Sequence, residues 1–429
     1  MGKFFLIVAC CLFVFGSDVF AITDEEIFRN FQFSFVNPGA RSGAMGGAFI
    51  GLADDATAAE ANPAGLTILT KPEVSFEYRN TQFDASRLDA FNSVGASEEL
   101  FLSVLSANTL EDLNQPSFLG VVFPIGRSTL AFSRQEVSRT EGGINDVFLI
   151  EIPGTPTIVF GTVASQDQTI VNYNFSFGTK LGDHFSVGAT GRYSQLDWKA
   201  SVQNLFIDDF GNAFVIFNTD LDDSDSAFAW NAGALYTAAN FSFGAVYKKN
   251  PKFEVEEVES GPISRKPGSF VNTLKVPDTF GFGVAVKPND KITIVADLVR
   301  LEYSDLVEGI EVGRHVLTAF VTGEDISYTI DDAWDFHVGT EFVVFAGSVP
   351  IALRTGYYNH ASSSLVVDAA PGLIANDEAV IRGLFSERED EHHFTIGNGF
   401  VFGPHFQIDW AVDIANIPDQ FILSTVVRF

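Results

Sequence analysis

Few residues in this chain are spaced as a reactive site would need. The run Glu389-Asp390-Glu391-His392-His393 sets carboxylates beside imidazoles, the ligand types a divalent cation takes, but contiguous charges of this kind usually form a solvated rim. Asp220, Asp222, Asp223 and Asp225 resemble part of a calcium loop. Asp225, however, falls at the sixth position, where that loop needs Gly, and Asn231 falls where it needs Glu. The glycine cluster at 39–47 lacks the Lys-Ser/Thr ending and the preceding strand of a phosphate loop. Neither a Gly-x-Ser-x-Gly elbow nor a His-Glu-x-x-His pair occurs. The sequence therefore predicts no catalytic residue, no metal and no cofactor, and function has to be sought in the elements.

The 429 residues are 46% hydrophobic, too apolar for a disordered chain, and the 44 Phe against 2 Met favour strands. A net charge of −29 excludes a broad basic surface, so nucleic acid is not an expected partner. Cys10 and Cys11 both lie in the apolar run 4–15 that follows Lys3, and with Ala21 at the cleavage point residues 1–21 read as a secretory signal. A lipoprotein box at Ile7-Val8-Ala9-Cys10 would leave too short an apolar core. The mature chain then has no cysteine, hence no disulfide and no thiolate site. No later stretch supplies the ~18 apolar residues of a spanning helix.

Past Lys71 the chain alternates in polarity over fourteen segments: 73–80, 117–124, 128–138, 169–180, 185–198, 226–236, 241–248, 278–287, 291–303, 334–345, 350–358, 392–402, 405–416 and 421–429. One face is large and apolar (Phe280, Phe282, Val284, Val286) and the other small or polar (Gly281, Gly283, Ala285). A soluble sandwich leaves that asymmetry unexplained, whereas a barrel with lipid outside requires it. Six connections are tight turns. The alternate ones, 81–116, 139–168, 199–225, 249–277, 304–333 and 359–391, are predicted as long loops, and only the last, 417–420, is short. The predicted fold is all-β, a 14-stranded antiparallel transmembrane β-barrel over 72–429 in the outer membrane of a Gram-negative bacterium, with both termini periplasmic. Its partners would include outer-membrane lipid and lipopolysaccharide. The terminal aromatic Phe429 is read as a signal to the barrel-assembly machinery.

Residues 22–71 do not alternate and are dominated by small side chains, which suits a compact plug inside the lumen; a flexible periplasmic tail is the other reading. The stretch 43–50, followed by Ala53-Asp54-Asp55-Ala56 and Asn62-Pro63-Ala64-Gly65-Leu66, resembles the amino-terminal hatch of the FadL/TodX family of outer-membrane transporters for long-chain fatty acids and other hydrophobic compounds. That resemblance implies a hatch carrying Gly46, Gly47, Asn62, Pro63 and Ala64, capture of hydrophobic substrate at extracellular loops, and sideways release through the wall. The same wording also resembles the PorV-type barrel of the type IX secretion system, which would bind a protein partner instead.

The apolar residues Leu205, Phe206, Ile207, Phe210, Phe214, Ile216 and Phe217 sit in a predicted extracellular loop, where they either capture a hydrophobic ligand or pack into a cap. Clusters at 100–105 and 147–150 add to them. The inward register places Arg192, Lys248 and Arg354 among Glu77, Asp297, Asp335, His337, Glu341, Asp409 and Asp413. These cations either meet a substrate carboxylate or pair with the neighbouring acids. The expected function is a passive channel for a hydrophobic small-molecule ligand, not an enzyme; a water-filled porin fits poorly with a hatch.

Overall fold

The computed structural model describes residues 35–82, 101–108, 112–151, 158–208, 211–262, 267–307, 327–363, 366–369, 390–415 and 419–429. The predicted signal, the first part of the predicted hatch and Phe210 lie outside the described residues. The strands run β1 (Glu73–Gln82), β2 (Phe101–Asn108), β3 (Leu113–Ile125), β4 (Ser128–Glu151), β5 (Ile158–Lys180) and β6 (Phe185–Ile207). Next come β7 (Ala213–Thr237), β8 (Phe241–Lys249), β9 (Lys252–Ser260), β10 (Gly268–Lys275), β11 (Thr279–Asn289), β12 (Ile292–Leu301) and β13 (Ser327–Thr329). The last are β14 (Ala333–Ala346), β15 (Val349–His360), β16 (Val366–Ala369), β17 (Glu391–Phe402), β18 (Phe406–Ile414) and β19 (Asp419–Arg428).

Fourteen of these close a barrel in the order β1, β3 to β8, β11, β12, β14, β15, β17, β18, β19. Closure is made by β1, in which Glu73 lies opposite Val122 of β3 on one side and Arg428 of β19 on the other. Every backbone edge at membrane depth is thereby paired, as hydrocarbon demands. The polarity is inverted relative to a soluble protein. On β1 the residues Glu73, Ser75, Glu77, Arg79 and Thr81 are buried inward while Phe76 is exposed, and on β5 Tyr173, Phe175 and Phe177 face outward. Aromatic rings gather at both rims of this apolar belt, with Phe185, Tyr236 and Phe241 by the short turns and Trp230 against Tyr247 at the far side.

The predicted loops at 139–168 and 199–225 are corrected by the structure. There β4 to β7 run on as 23 to 25-residue strands, far beyond the 9–11 residues that a tilted membrane strand needs. Only residues 152–157 and 208–212 are left to connect them. The connections predicted at 81–116, 249–277, 304–333 and 359–391 likewise contain β2, the β9–β10 hairpin, β13 and β16. The reason is a switch of polarity along single strands. On β6 the inward side chains change from Ser186, Thr190, Arg192 and Ser194 to Leu196, Trp198 and Val202, and the outward ones become Gln195, Asp197 and Lys199. Above the bilayer the outer face meets water, so the lipid-facing alternation disappears while the strand continues.

The inward apolar residues of the upper strands build one core. Leu196, Trp198, Leu221, Phe253, Val255 and Leu274 pack with Tyr303 and Leu306, which are delivered by a 3-10 turn, η2 (Tyr303–Val307). Asp332 ties that turn down by accepting from the Ser304 amide (3.1 Å), the Ser304 hydroxyl (2.7 Å) and Arg300 (2.9 Å). Burial alone would raise the Asp332 carboxyl, but these donors outweigh it and hold it below the usual carboxylate range.

Below this core the lumen is filled by residues 35–70, almost all of them buried. Wall glycines on adjacent strands let this segment touch backbone. Gly178 lies opposite Gly188, Gly188 opposite Gly233, and Gly339 opposite Gly356. A Cβ at Gly188 would meet the Ala64 nitrogen at 2.5 Å as well as the Pro63 carbonyl. Gly188→Leu should therefore cost about 1–3 kcal/mol by overpacking. The check is a lowered Tm of the heat-modifiable band relative to a Gly182→Leu control at a turn where a Cβ meets nothing.

Candidate functional site

The luminal segment is built from short pieces because its small residues favour close approach over long helices. Helix α1 (Ala40–Gly43) and helix α2 (Ala58–Ala61) each make one turn, and a second 3-10 helix, η1 (Pro63–Ile68), follows. Asn62 starts η1 as its cap, with Oδ1 accepting from Ala64 N (3.2 Å) and Pro63 in the first turn. Its Nδ2 donates to Ile50 O and to Ala234 O of the wall, both at 3.1 Å. One fully buried side chain thus joins two parts of the segment to β7. Gly46 and Gly47 have φ of 68° and 75°, and a Cβ on Gly46 would stand 2.7 Å from Tyr357 O. The predicted motif residues Gly46, Gly47, Asn62, Pro63 and Ala64 all lie in this segment, against the wall or bonded to it.

Polar wall side chains complete the attachment. The Gly46 amide donates to Thr395 Oγ1 (3.0 Å), the Thr395 hydroxyl donates to Ala44 O (3.1 Å), and His337 Nδ1 donates to Gly46 O (2.7 Å). Asp297 accepts the amides of Phe49 (2.6 Å) and Ile50 (2.8 Å), Glu73 accepts that of Ala56 (2.8 Å), and Glu77 that of Gly39. Sequence reading placed Asp297, His337 and Glu77 on the inner face but did not assign them this role.

The three predicted luminal cations face inward, and each meets a carboxylate. Arg192 Nη2 lies 2.6 Å and Lys248 Nζ 3.1 Å from Glu60 Oε1 of the luminal segment. Arg354 lies 2.7 Å from both Glu341 and Asp409, and Arg41 joins Glu341 to Asp54. Glu60 and Arg41 were not singled out in the sequence; the signal was a lone charge in a run of alanines and glycines. A cavity of about 20 Å³ remains between segment and wall, lined by Phe35, Ile50, Val246, Lys248, Asp297 and His337 among others.

The described capture residues, Leu205, Phe206, Ile207, Phe214, Ile216 and Phe217, are strand residues, not loop residues. Phe206 lies opposite Phe214 and Leu205 opposite Val215, with Ile216 at a bulge, and Asp208 closes the turn by accepting from Asn212 N (2.8 Å). Phe214 is 44% exposed, Leu205, Phe206, Ile207 and Ile216 are half-buried, and Phe217 is buried in the wall. The set is split between the two faces of one hairpin. Nearby, between Leu221 and Trp230, β7 has no ladder partner on the β8–β9 side among the described residues. The carboxylates of Asp223 and Asp225 fill in, accepting the amides of Glu256 and Glu254 at 2.8 Å each. At the chain's end Phe429 is exposed and its amide bonds to Pro72 O (3.0 Å).

A closed barrel, apolar outside at membrane depth and occupied by its own N-terminal residues, defines an outer-membrane transport channel of the plugged kind. The profile of the outer membrane protein transport family (OMPP1/FadL/TodX) matches residues 31–415, and the chain belongs to this family. Three solved structures resemble it in fold. A Pseudomonas aeruginosa FadL homologue is 12% identical, with 92% of this chain and 99% of that one covered at a TM-score of 0.61. The Ralstonia pickettii toluene transporter TbuX is 14% identical (92% and 99%, TM-score 0.57), and the Pseudomonas putida toluene transporter TodX 13% (92% and 98%, TM-score 0.57). No curated protein matches the chain.

Asn62→Ala leaves two carbonyls and one amide without their partner in a buried site. The expected loss is about 1–3 kcal/mol, read as a lowered Tm and faster proteolysis of the luminal segment in detergent.

Proposed function

We propose that this channel takes up hydrophobic small molecules, fatty acids or hydrocarbons among them, from the extracellular side, passively and without a cofactor. The observation that carries this reading is the apolar core in the upper lumen. A water-filled porin lines its passage with polar groups, whereas here Leu196, Trp198, Leu221, Phe253 and Leu274 occupy the route. A cargo that can take the place of these side chains must itself be apolar. The exposed Phe214 and Val215 at the β6–β7 tip supply a first apolar contact, and residues 35–70, acting as a hatch, govern passage. Sideways release is supported by a lipid-facing groove of about 650 Å³ on the outside of β3 to β7, lined by Leu119, Phe132, Tyr173, Phe175, Tyr193 and Phe228.

The test is quenching of Trp198 by brominated hydrophobic probes in purified protein whose other tryptophans, Trp230, Trp334 and Trp410, are replaced by Phe. Saturable quenching is expected, absent in Trp198→Phe and weakened at least about tenfold when 205–217 is replaced by a two-residue turn. An intact, heat-modifiable barrel in which no hydrophobic probe reaches Trp198 would contradict the reading.

A further inference from the structure

Arg192 precedes Leu196, the first core residue on β6, on the same inward face, and Lys248 on β8 shares its carboxylate partner in the luminal segment. Both point at one oxygen, Glu60 Oε1, at 2.6 and 3.1 Å. Arg192 is 2% exposed and Glu60 is 5% exposed. The second oxygen, Glu60 Oε2, has no hydrogen-bond partner, and neither has Arg192 Nε. The carboxylate is therefore held by the two cations and not by a network of its own. It stands where the carboxylate of an amphipathic cargo would have to bind.

The surroundings offer no alternative counter-ion. Buried carboxylates outnumber buried guanidinium and ammonium groups twelve to four among the described residues. Each of those four, Arg79, Arg192, Lys275 and Arg354, already lies in an ion pair. In the small cavity beside Lys248, Asp297 Oδ1 lacks a hydrogen-bond partner, adding a carboxylate oxygen where a second anion would approach. Beside the upper core the buried Lys275, between Leu274 and Val276, is already held by Asp278. An anion brought into such surroundings loses hydration and gains no partner, which disfavours it against an uncharged molecule of the same shape.

We propose that Glu60 is a built-in counter-ion that determines specificity: by neutralising Arg192 and Lys248 it restricts the cargo to uncharged apolar molecules and rejects carboxylates. This rests on the transport reading above and narrows its substrate class. Removing the charge of Glu60 frees two cations in a dry site, so Glu60→Gln converts the lumen into one that accepts a carboxylate.

The experiment compares 9,10-dibromostearate with its methyl ester as quenchers of Trp198 in the full-length protein at pH 9, where the acid is ionised, with Trp230, Trp334 and Trp410 replaced by Phe throughout. In the unmodified protein the ester should reach half-saturation at a concentration at least about tenfold below the acid. Glu60→Gln should bring the acid-to-ester ratio within about threefold, with the acid's own half-saturation concentration falling. Equal quenching by acid and ester in the unmodified protein overturns the proposal while leaving transport standing. So does a folded Glu60→Gln protein in which the acid gains nothing. If neither compound quenches, the transport reading itself fails and this proposal with it. Should Glu60→Gln not fold, the acid-to-ester ratio of the unmodified protein still decides.

Discussion

Fourteen strands enclose a lumen wider than wall side chains can fill, since about eight strands mark the size at which they suffice. The contact between residues 35–70 and the inner wall is the constraint on which the rest depends. It requires glycine at successive wall positions, amide-accepting carboxylates at Asp297, Glu73 and Glu77, and a segment rich in glycine and alanine. A larger residue at any of these contacts pushes backbone from backbone. The price of this fit is paid in charge, because burying so many acceptors leaves the lumen acidic and leaves every described inner cation matched.

The same constraint divides the lumen into two solvents. In its lower half polar wall groups bond the luminal segment. In its upper half, on the same strands, the inner face turns apolar and packs around Trp198, Phe253 and Tyr303. The outer face changes in the opposite sense, from aromatic to acidic, where the strands leave the bilayer. Both inversions occur near Ser194 on β6. In the proposed function, this switch gives a hydrophobic molecule an apolar destination above a polar plug, and movement of that plug controls passage.

How much of this was legible in the sequence follows from the same inversion. Wherever lipid lies outside and the segment inside, alternation is strong, and the fourteen strands and six tight turns could be read from it. Above the bilayer both faces change character, so 139–168 and 199–225 looked like loops although the buried Thr219 and Leu221 alternate with the exposed Asp220 and Asp222. The luminal motif at Asn62-Pro63-Ala64 was visible as a departure from alternation. Its chemistry was not, because the partners of Asn62 and Glu60 are about 170 residues away in β7 and about 130 away in β6. The capture residues were found by hydrophobicity alone, which cannot tell that Phe206, Phe214 and Phe217 share one face of a hairpin while Leu205 takes the other.

The central claim is that residues 35–70 must shift for cargo to pass. With no cysteine after Cys11, a single engineered bridge can test it. A Cβ at Gly43 would lie 3.8 Å from the Ala411 Cβ on β18, within disulfide range, with only the flexible end of Ile422 to displace. Uptake of an uncharged hydrocarbon into vesicles carrying Gly43→Cys/Ala411→Cys should fall at least about tenfold on oxidation and return on reduction. Passage at the unmodified rate through a fully bridged protein would contradict the account.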